Sequence, residues 1–293
     1  MHILRRIAVG LATLAAAGLL VLVIVFPRAE PPSQERNART PERVARGEYL
    51  ARNVAFCFNC HSERDWSRYA APVCSESLGG GGSLAFLRSQ ERAPNITPYA
   101  LASWSDGEIL RAITAGVDRD GRALGPRMPF DRYAALPLED ARAIVAYLRT
   151  LPPIRTTGVR TKPSTARQLF ARLRPRPYRP PAPVSPNDSV AYGRYLVRVA
   201  GCDFCHGATF QGGLSFSLPD GQRTLSTPIP GTRDRASFIA IFQSFRHTNP
   251  GVKAGQRNTV MPWFQYAQWS DSDLGAIYDF LQTAGTSASG RPR

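Results

Sequence analysis

The hydrophobic pattern of the chain opens with one long apolar stretch. Residues 7–26 carry no charge, and twenty residues form about 30 Å of helix, enough for one bilayer crossing. Arg5 and Arg6 precede the stretch, which predicts an uncleaved membrane anchor with the rest of the chain exported. A cleaved signal peptide is the alternative, although the apolar region of such a peptide is usually shorter, about 7–15 residues.

After the apolar stretch, the pattern predicts helices separated by long loops, in the same order twice. A first helix is predicted over 41–53 and again over 189–199. A middle helix begins after Ser105, where Ser-Asp-Gly-Glu forms a capping box, and ends near Gly116. Its weaker counterpart covers 236–245. Both halves therefore have the same predicted helical order.

The last predicted helix of each half carries the clearest repeat. MPFDRYAALPLEDARAIVAYLRT, from Met128, aligns without a gap with MPWFQYAQWSDSDLGAIYDFLQT, from Met261. GEYLAR at Gly47 likewise matches GRYLVR at Gly193. The chain is a tandem pair of one sequence module, here called the first and second repeat. In the second repeat one buried helical stripe is predicted, formed by Leu274, Ile277, Tyr278 and Leu281.

The charge is concentrated between the repeats. The net charge is +15, and residues 151–186 contribute eight basic residues, nine prolines and no acidic residue. This concentration argues against a nucleic-acid-binding face spread over a folded domain. Two interpretations remain open: a solvated, semi-rigid spacer, or arginines that bind acidic cofactor groups or the membrane surface.

The cysteines supply the strongest chemical signal. CFNCH and CDFCH each place a histidine directly after a Cys-x-x-Cys pair. Such a pair alone fits a redox disulfide, and two pairs could bind zinc, but neither explains the duplicated histidine. Cys-x-x-Cys-His is the attachment signal of haem c, with the cysteines as thioethers and the histidine as proximal iron ligand. The predicted residues are Cys57, Cys60, His61, Cys202, Cys205 and His206.

A sixth iron ligand is predicted in each repeat from the Met-Pro pairs. Met128 and Met261 are the two internal methionines, and they lie at equivalent positions downstream of the cysteine motifs. A thioether is a soft ligand that raises the reduction potential of haem iron. His247 is a rival ligand for the second iron, and Cys74 is an alternative for the first or a surface thiol.

These motifs resemble the cytochrome c superfamily, and more narrowly the cytochrome subunits of bacterial membrane-associated dehydrogenases such as alcohol dehydrogenase. PNITP at Pro94 adds to the resemblance, and the second repeat departs from this marker with TPIPG at Thr227. The resemblance implies an all-α fold with two tandem cytochrome c domains behind a single transmembrane helix, and helices that cross at Gly47 and Gly193. The implied divisions are an anchor over 1–29, domains over 30–150 and 187–293, and a linker over 151–186.

The resemblance also implies a function. We expect a cytochrome with two covalent haem c groups, anchored in the inner membrane with its haem domains in the periplasm. A periplasmic or membrane dehydrogenase would donate electrons, and quinone, another cytochrome or a terminal oxidase would accept them, with no role for nucleic acid. The alternative is a diheme enzyme of the peroxidase or thiosulfate dehydrogenase type, which needs a labile or unusual sixth ligand on one iron.

Overall fold

The computed structural model describes residues 2–87, 91–156, 169–230, 233–248, 250–253 and 256–289. These residues are mostly helical, as predicted. The helices are α1 His2–Val25, α2 Pro41–Tyr49, α3 Cys57–His61, α4 Pro98–Leu101, α5 Asp106–Ala115, α6 Phe130–Tyr133, α7 Leu138–Leu148, α8 Ser189–Ala200, α9 Cys202–His206, α10 Arg235–Gln243, α11 Trp263–Tyr266 and α12 Asp271–Ser289.

Two small antiparallel hairpins depart from the all-α expectation. One pairs β1, Gly82–Ser83, with β2, Arg92–Ala93. The other pairs β3, Ser215–Ser217, with β4, Arg223–Leu225. Strands of two or three residues carry no periodic pattern that the sequence could reveal, because a period of two needs at least four residues to be seen.

The N-terminal helix α1 confirms the predicted long apolar helix. Among the described residues it alone is long and apolar enough to cross a membrane, and its apolar window has no buried residue within the protein. A membrane anchor and a signal sequence share these properties.

The chain divides into two compact units. The N-terminal unit comprises residues 1–36, 104–134 and 163–179, and the main unit comprises 37–103, 135–162 and 180–293. Both cysteine motifs lie in the main unit, whereas Met128 lies in the N-terminal unit.

Helix α5 in the N-terminal unit begins and ends as its sequence predicts. The Ser105 hydroxyl accepts a hydrogen bond from the Glu108 amide at 3.1 Å, and the Glu108 carboxylate accepts one from the Ser105 amide at 2.7 Å. Gly116 ends the helix in the left-handed conformation, with φ of +72°. The capping box therefore fixes this helix through contacts close in sequence.

Two arginines of residues 151–186, here called the basic segment, bond to groups in the N-terminal unit, to which they belong. Arg172 donates to the carbonyl oxygen of Val23 at 2.9 Å, at the end of α1. Arg174 forms an ion pair with Asp131 at 3.4 Å. Part of the basic segment therefore binds partners inside the chain. Residues 157–168 of that segment lie outside the described residues.

The main unit contains two close helix crossings, one in each repeat. A side chain at Gly47 of α2 would place its Cβ 1.9 Å from the Ala143 carbonyl oxygen of α7. A side chain at Gly193 of α8 would meet the Ala276 carbonyl oxygen of α12 at the same 1.9 Å. Only glycine permits this approach. The crossings expected from the family resemblance are thereby confirmed at both glycines.

The two repeats exchange a hydrogen bond within the main unit. The Tyr49 hydroxyl of the first repeat donates to the Asp273 carboxylate of the second. The Tyr195 hydroxyl of the second donates to the Asp140 carboxylate of the first at 2.5 Å. Tyr49 and Tyr195 are equivalent in the sequence repeat, as are Asp140 and Asp273. The same contact is therefore made twice with the roles of the repeats reversed.

The charges around the exchanged bonds differ. Arg46 binds both oxygens of Asp140, with two distances of 2.9 Å, so this half-buried carboxylate has a cation beside it. Among the residues that the structure describes, Asp273 has no arginine or lysine within ion-pair distance. Burial, followed by the adjacent carboxylate, raises the pKa of both Tyr49 and Tyr195, so both phenols remain protonated donors at neutral pH.

Candidate functional site

The first cysteine motif forms a single helical turn, α3, after an abrupt change of chain direction. A π-helical segment, Leu50–Val54, continues α2, and Phe56 then adopts the left-handed conformation with φ of +50°. Cys57, Cys60 and His61 follow at i, i+3 and i+4. This spacing places the three side chains on one face of the turn.

The second motif forms the equivalent turn, α9, with a different residue at the bend. Gly201 has φ of +71° and lies directly between α8 and α9. Cys202, Cys205 and His206 then repeat the i, i+3, i+4 spacing. The left-handed residue before the first cysteine is thus glycine in this repeat and phenylalanine in the other, where the backbone costs about 1–2 kcal/mol more.

Each motif histidine is buried and oriented by a backbone carbonyl. His61 Nδ1 lies 2.7 Å from the Pro94 oxygen, and His206 Nδ1 lies 2.6 Å from the Thr227 oxygen. A carbonyl can only accept, so Nδ1 carries the proton in both rings and Nε2 keeps its lone pair. Burial lowers the pKa of both histidines. The neutral tautomer that binds metal ions through Nε2 is therefore the favoured form.

The first of these carbonyls is held in place by the PNITP loop. The Asn95 side-chain oxygen accepts from the Thr97 amide at 2.8 Å, and its amide group donates to the Ile154 carbonyl at 2.7 Å. Pro94 is the first residue of PNITP, and Thr227 is the first residue of TPIPG. The two loops thus supply the same kind of acceptor, although their prolines occupy different positions.

The two competing sites for the motif cysteines are a redox disulfide and a zinc site. In the described part of the chain they form no disulfide. The same described residues contain no cluster of three or more His, Cys, Asp or Glu side chains suited to a metal ion, as a shared zinc site would require. Desolvation raises the pKa of Cys57 to about 12 and that of Cys60 to about 11. A redox-active Cys-x-x-Cys pair has the opposite shift.

Arg64 lies beside the first motif, and no sequence pattern predicts its position. Its guanidinium donates to the carbonyls of Ala71 at 2.8 Å and Ala70 at 2.9 Å, and it lies 4.8 Å from the centroid of the Trp66 ring. Burial lowers the pKa of Arg64 to about 10. A positive charge is therefore held in a partly desolvated position three residues after His61.

The two internal methionines begin equivalent short segments. Met128 precedes α6 in the N-terminal unit, and its amide donates to the Gly125 carbonyl at 3.1 Å. Met261 precedes α11 in the main unit, and its amide donates to the Thr259 hydroxyl at 3.1 Å. Both methionines are half-buried. Their role as iron ligands stays a prediction.

The two alternative ligand candidates are placed differently. His247 is exposed in the bend that follows α10. Cys74 is half-buried, and its amide donates to the Glu63 carbonyl at 2.9 Å. Partial burial, followed by the carboxylate of Glu76, raises the pKa of the Cys74 thiol.

The residues of both motifs fit a covalently attached haem c. Each turn presents two thiols on the same face as a buried, neutral imidazole whose Nε2 is available to iron. The carbonyl bond to Nδ1 is the type of second contact that orients a histidine ligand and increases its basicity.

The chain is similar to several curated cytochrome subunits. No protein-family model matches it. It is 28% identical over 211 residues to the fructose dehydrogenase cytochrome subunit of Gluconobacter japonicus, covering 67% of this chain and 41% of the relative. It is 24% identical over 273 residues to the cytochrome c subunit of alcohol dehydrogenase (quinone) of Gluconobacter oxydans, covering 82% and 54%.

A third relative carries the word diheme in its name. The diheme cytochrome c-type protein of Cereibacter sphaeroides is 34% identical over 117 residues, covering 37% of this chain and 36% of the relative. The chain spans between about one third and about half of the length of these three relatives. Together with the two Cys-x-x-Cys-His turns, the relatives confirm that this chain resembles the cytochrome c family, and within it the cytochrome subunits of bacterial dehydrogenases.

Proposed function

We propose that this protein is a membrane-anchored diheme cytochrome c that relays electrons from a partner dehydrogenase to the respiratory chain. In this proposal α1 is a single-pass anchor in the inner membrane, and two cytochrome c domains, over 30–150 and 187–293, lie in the periplasm. Residues 151–186 link them. The acceptor is a quinone, another cytochrome or a terminal oxidase.

One observation carries the proposal: each repeat has a buried histidine, directly after a Cys-x-x-Cys pair, whose Nδ1 is committed to a carbonyl. The names of the relatives, which are cytochrome subunits of dehydrogenases, support a dehydrogenase as the electron donor. When bound, haem c supplies an iron that takes up and releases single electrons.

The chain's own residues have distinct roles in this proposal. Cys57 and Cys60, and their counterparts in the second motif, hold the two macrocycles by thioether bonds. His61 and His206 would bind the irons as proximal ligands, and Met128 and Met261 would supply the sixth ligands. With two protein ligands an iron would have no position for a substrate, which favours electron transfer over catalysis at the metal.

The proposal is tested first on purified, mature protein. Intact mass should show two covalently added haems per chain, and the ferric protein should show two equivalents of the methionine-to-iron charge-transfer absorption. Fewer than two added haems would overturn the diheme assignment. Two haems with one or no equivalent of the methionine absorption would favour the diheme enzyme instead.

Ligand variants then assign each iron. We expect Met128→Ala and Met261→Ala each to lower one of two reduction potentials and to leave the other nearly unchanged, because loss of a thioether ligand lowers the potential of its own iron. His247→Ala and Cys74→Ser are the matched controls and should leave both potentials in place. A change of one potential in a control variant would transfer the ligand role to that residue.

The partner is tested in native membranes. Gentle detergent extraction, followed by capture of the tagged cytochrome, should recover a dehydrogenase whose substrate reduces the haems. Recovery of a haem-loaded chain that no co-purified dehydrogenase reduces would contradict the donor assignment while leaving the haem sites intact.

A further inference from the structure

Hydrogen bonds on the N-terminal side of Met261 hold its segment against the first repeat. The Asn258 side chain is only 6% exposed. Its Nδ2 donates to the carbonyls of Trp66 at 3.2 Å and Arg68 at 3.1 Å, and its Oδ1 accepts from the Ala70 amide at 2.8 Å. All three partners are backbone groups of one first-repeat loop. The nitrogen and the oxygen of the Asn258 side chain therefore both form hydrogen bonds with the first repeat.

A short chain of hydrogen bonds connects Asn258 with Met261. Asn258 Oδ1 also accepts from the Thr259 amide at 2.8 Å, and the Thr259 hydroxyl accepts from the Met261 amide at 3.1 Å. The backbone of the methionine is thus two hydrogen bonds away from a side chain that is anchored on the other repeat.

The C-terminal side of the segment is fastened in the same way. The Trp269 side chain has no exposed surface, and its indole N–H donates to the carbonyl of Asn53. The Gln265 amide donates to the Asn59 side chain at 2.9 Å. Asn59 is one of the two residues between the cysteines of the first motif. The first repeat therefore holds residues on both sides of Met261.

We propose that the first repeat positions the sixth iron ligand of the second repeat, with Asn258 and Trp269 as the positioning residues. This inference rests on the proposed function, because it concerns Met261 as an iron ligand. A loop ligand loses conformational freedom when it binds, at about 1–2 kcal/mol for each residue fixed. Contacts that fix residues 258–269 beforehand remove part of this cost and strengthen ligation.

The first repeat lacks the residues that form these anchors. Counting from Met128 as from Met261, the positions of Asn258, Gln265 and Trp269 are occupied by Gly125, Arg132 and Leu136. Gly125 has no side chain, and Leu136 has no hydrogen-bond donor. The asparagine and tryptophan anchors therefore have no counterpart in the first repeat.

The test uses Asn258→Ala in the full-length, haem-loaded protein, with exogenous imidazole as the competitor for the methionine position. We expect the affinity of one iron for imidazole to rise about tenfold or more, because the anchoring hydrogen bonds are lost. The affinity of the other iron and its reduction potential should not change. Asn187→Ala, which removes an exposed asparagine, is the matched control and should leave both irons unchanged.

Trp269→Phe provides a second variant if Asn258→Ala does not fold, because it keeps an aromatic ring and removes the N–H donor. It should also raise imidazole affinity at one iron only. Unchanged affinity at both irons, or an equal rise at both, would overturn the inference. The wild-type protein separates the two proposals: if it lacks two equivalents of the methionine-to-iron absorption, the ligand assignment fails before the positioning question arises.

Discussion

The two cysteine motifs share their chemistry and differ in what surrounds them. Each histidine donates Nδ1–H to a carbonyl in the same way. The second of the two residues between the cysteines, however, is the half-buried Asn59 in the first motif and Phe204, which is 55% exposed, in the second. The first motif is covered by residues such as Gln265 from the second repeat. The same Cys-x-x-Cys-His turn therefore occurs in both repeats, with an outer face that makes an internal contact in the first and lies at the surface in the second.

The two exchanged tyrosine–aspartate hydrogen bonds also differ in the charges beside them. Asp140 has Arg46 beside it as well as the Tyr195 hydroxyl, so its charge is balanced. Asp273 receives the Tyr49 hydroxyl, and the described residues supply it with no basic side chain at ion-pair distance. Equivalent positions in the two repeats therefore differ: Asp140 is half-buried beside an arginine, and Asp273 is buried with no such cation among the described residues.

The largest expected effect contrasts the two phenylalanines. Phe58→Ala removes a buried ring and should lower the free energy of unfolding by about 4 kcal/mol. Phe204→Ala removes an exposed ring and should cost less than about 0.5 kcal/mol. Chemical unfolding followed by circular dichroism measures both. Equal costs would mean that the Phe204 ring is also buried in solution.

The next effect tests whether the helix crossings are equivalent. Gly47→Ala and Gly193→Ala should each cost about 3 kcal/mol, because either new Cβ would collide with a backbone carbonyl that cannot move alone. Gly125→Ala is the control, since a Cβ there meets no atom within 4 Å. Thermal melts of the three variants compare them directly, and a tolerated alanine at either crossing would contradict the close approach.

A smaller effect separates the two tyrosines. Tyr49→Phe leaves Asp273 buried without its phenol donor and should cost about 2 kcal/mol. Tyr195→Phe should cost about 1 kcal/mol, because Asp140 keeps its ion pair with Arg46. Urea unfolding at pH 7 measures the two values. The reverse order would show that the arginine contributes less than the geometry indicates.

The smallest effect concerns alkaline pH. The folded-state pKa of Tyr195 is raised above its ordinary value of 10. The stabilisation it gives is therefore complete below pH 10 and declines as the pH rises above that value, where only the unfolded chain releases the proton. In Tyr195→Phe the alkaline loss of stability should be shallower by about 1.4 kcal/mol per pH unit. Parallel pH profiles for variant and wild type would contradict the buried, protonated phenol.

The sequence predicts features that depend on neighbours along the chain. The capping box at Ser105, the helix end at Gly116 and the i, i+3, i+4 turns of the motifs all use contacts within four residues. The helix crossings at Gly47 and Gly193 could be predicted only from the family resemblance, because Gly47 contacts a residue almost one hundred positions away. The local sequence pattern thus predicts most helices, whereas the family resemblance predicts which helices cross.

Features set by distant partners could not be predicted. Asn258 gives no sign of its role, because its partners Trp66, Arg68 and Ala70 lie 188 to 192 residues earlier and contribute backbone groups, which every residue has. Arg64 resembles any other surface arginine until the fold places it against two carbonyls. Such contacts appear only when the chain is folded.

The exchanged bonds between Tyr49 and Asp273, and between Tyr195 and Asp140, have a consequence for the ancestry of the chain. Because each repeat contributes one donor and one acceptor at matching positions, a single ancestral module would already have possessed both halves of an isologous contact. Gene duplication and fusion would then have joined two partners that could already recognise each other, and each copy was afterwards free to diverge.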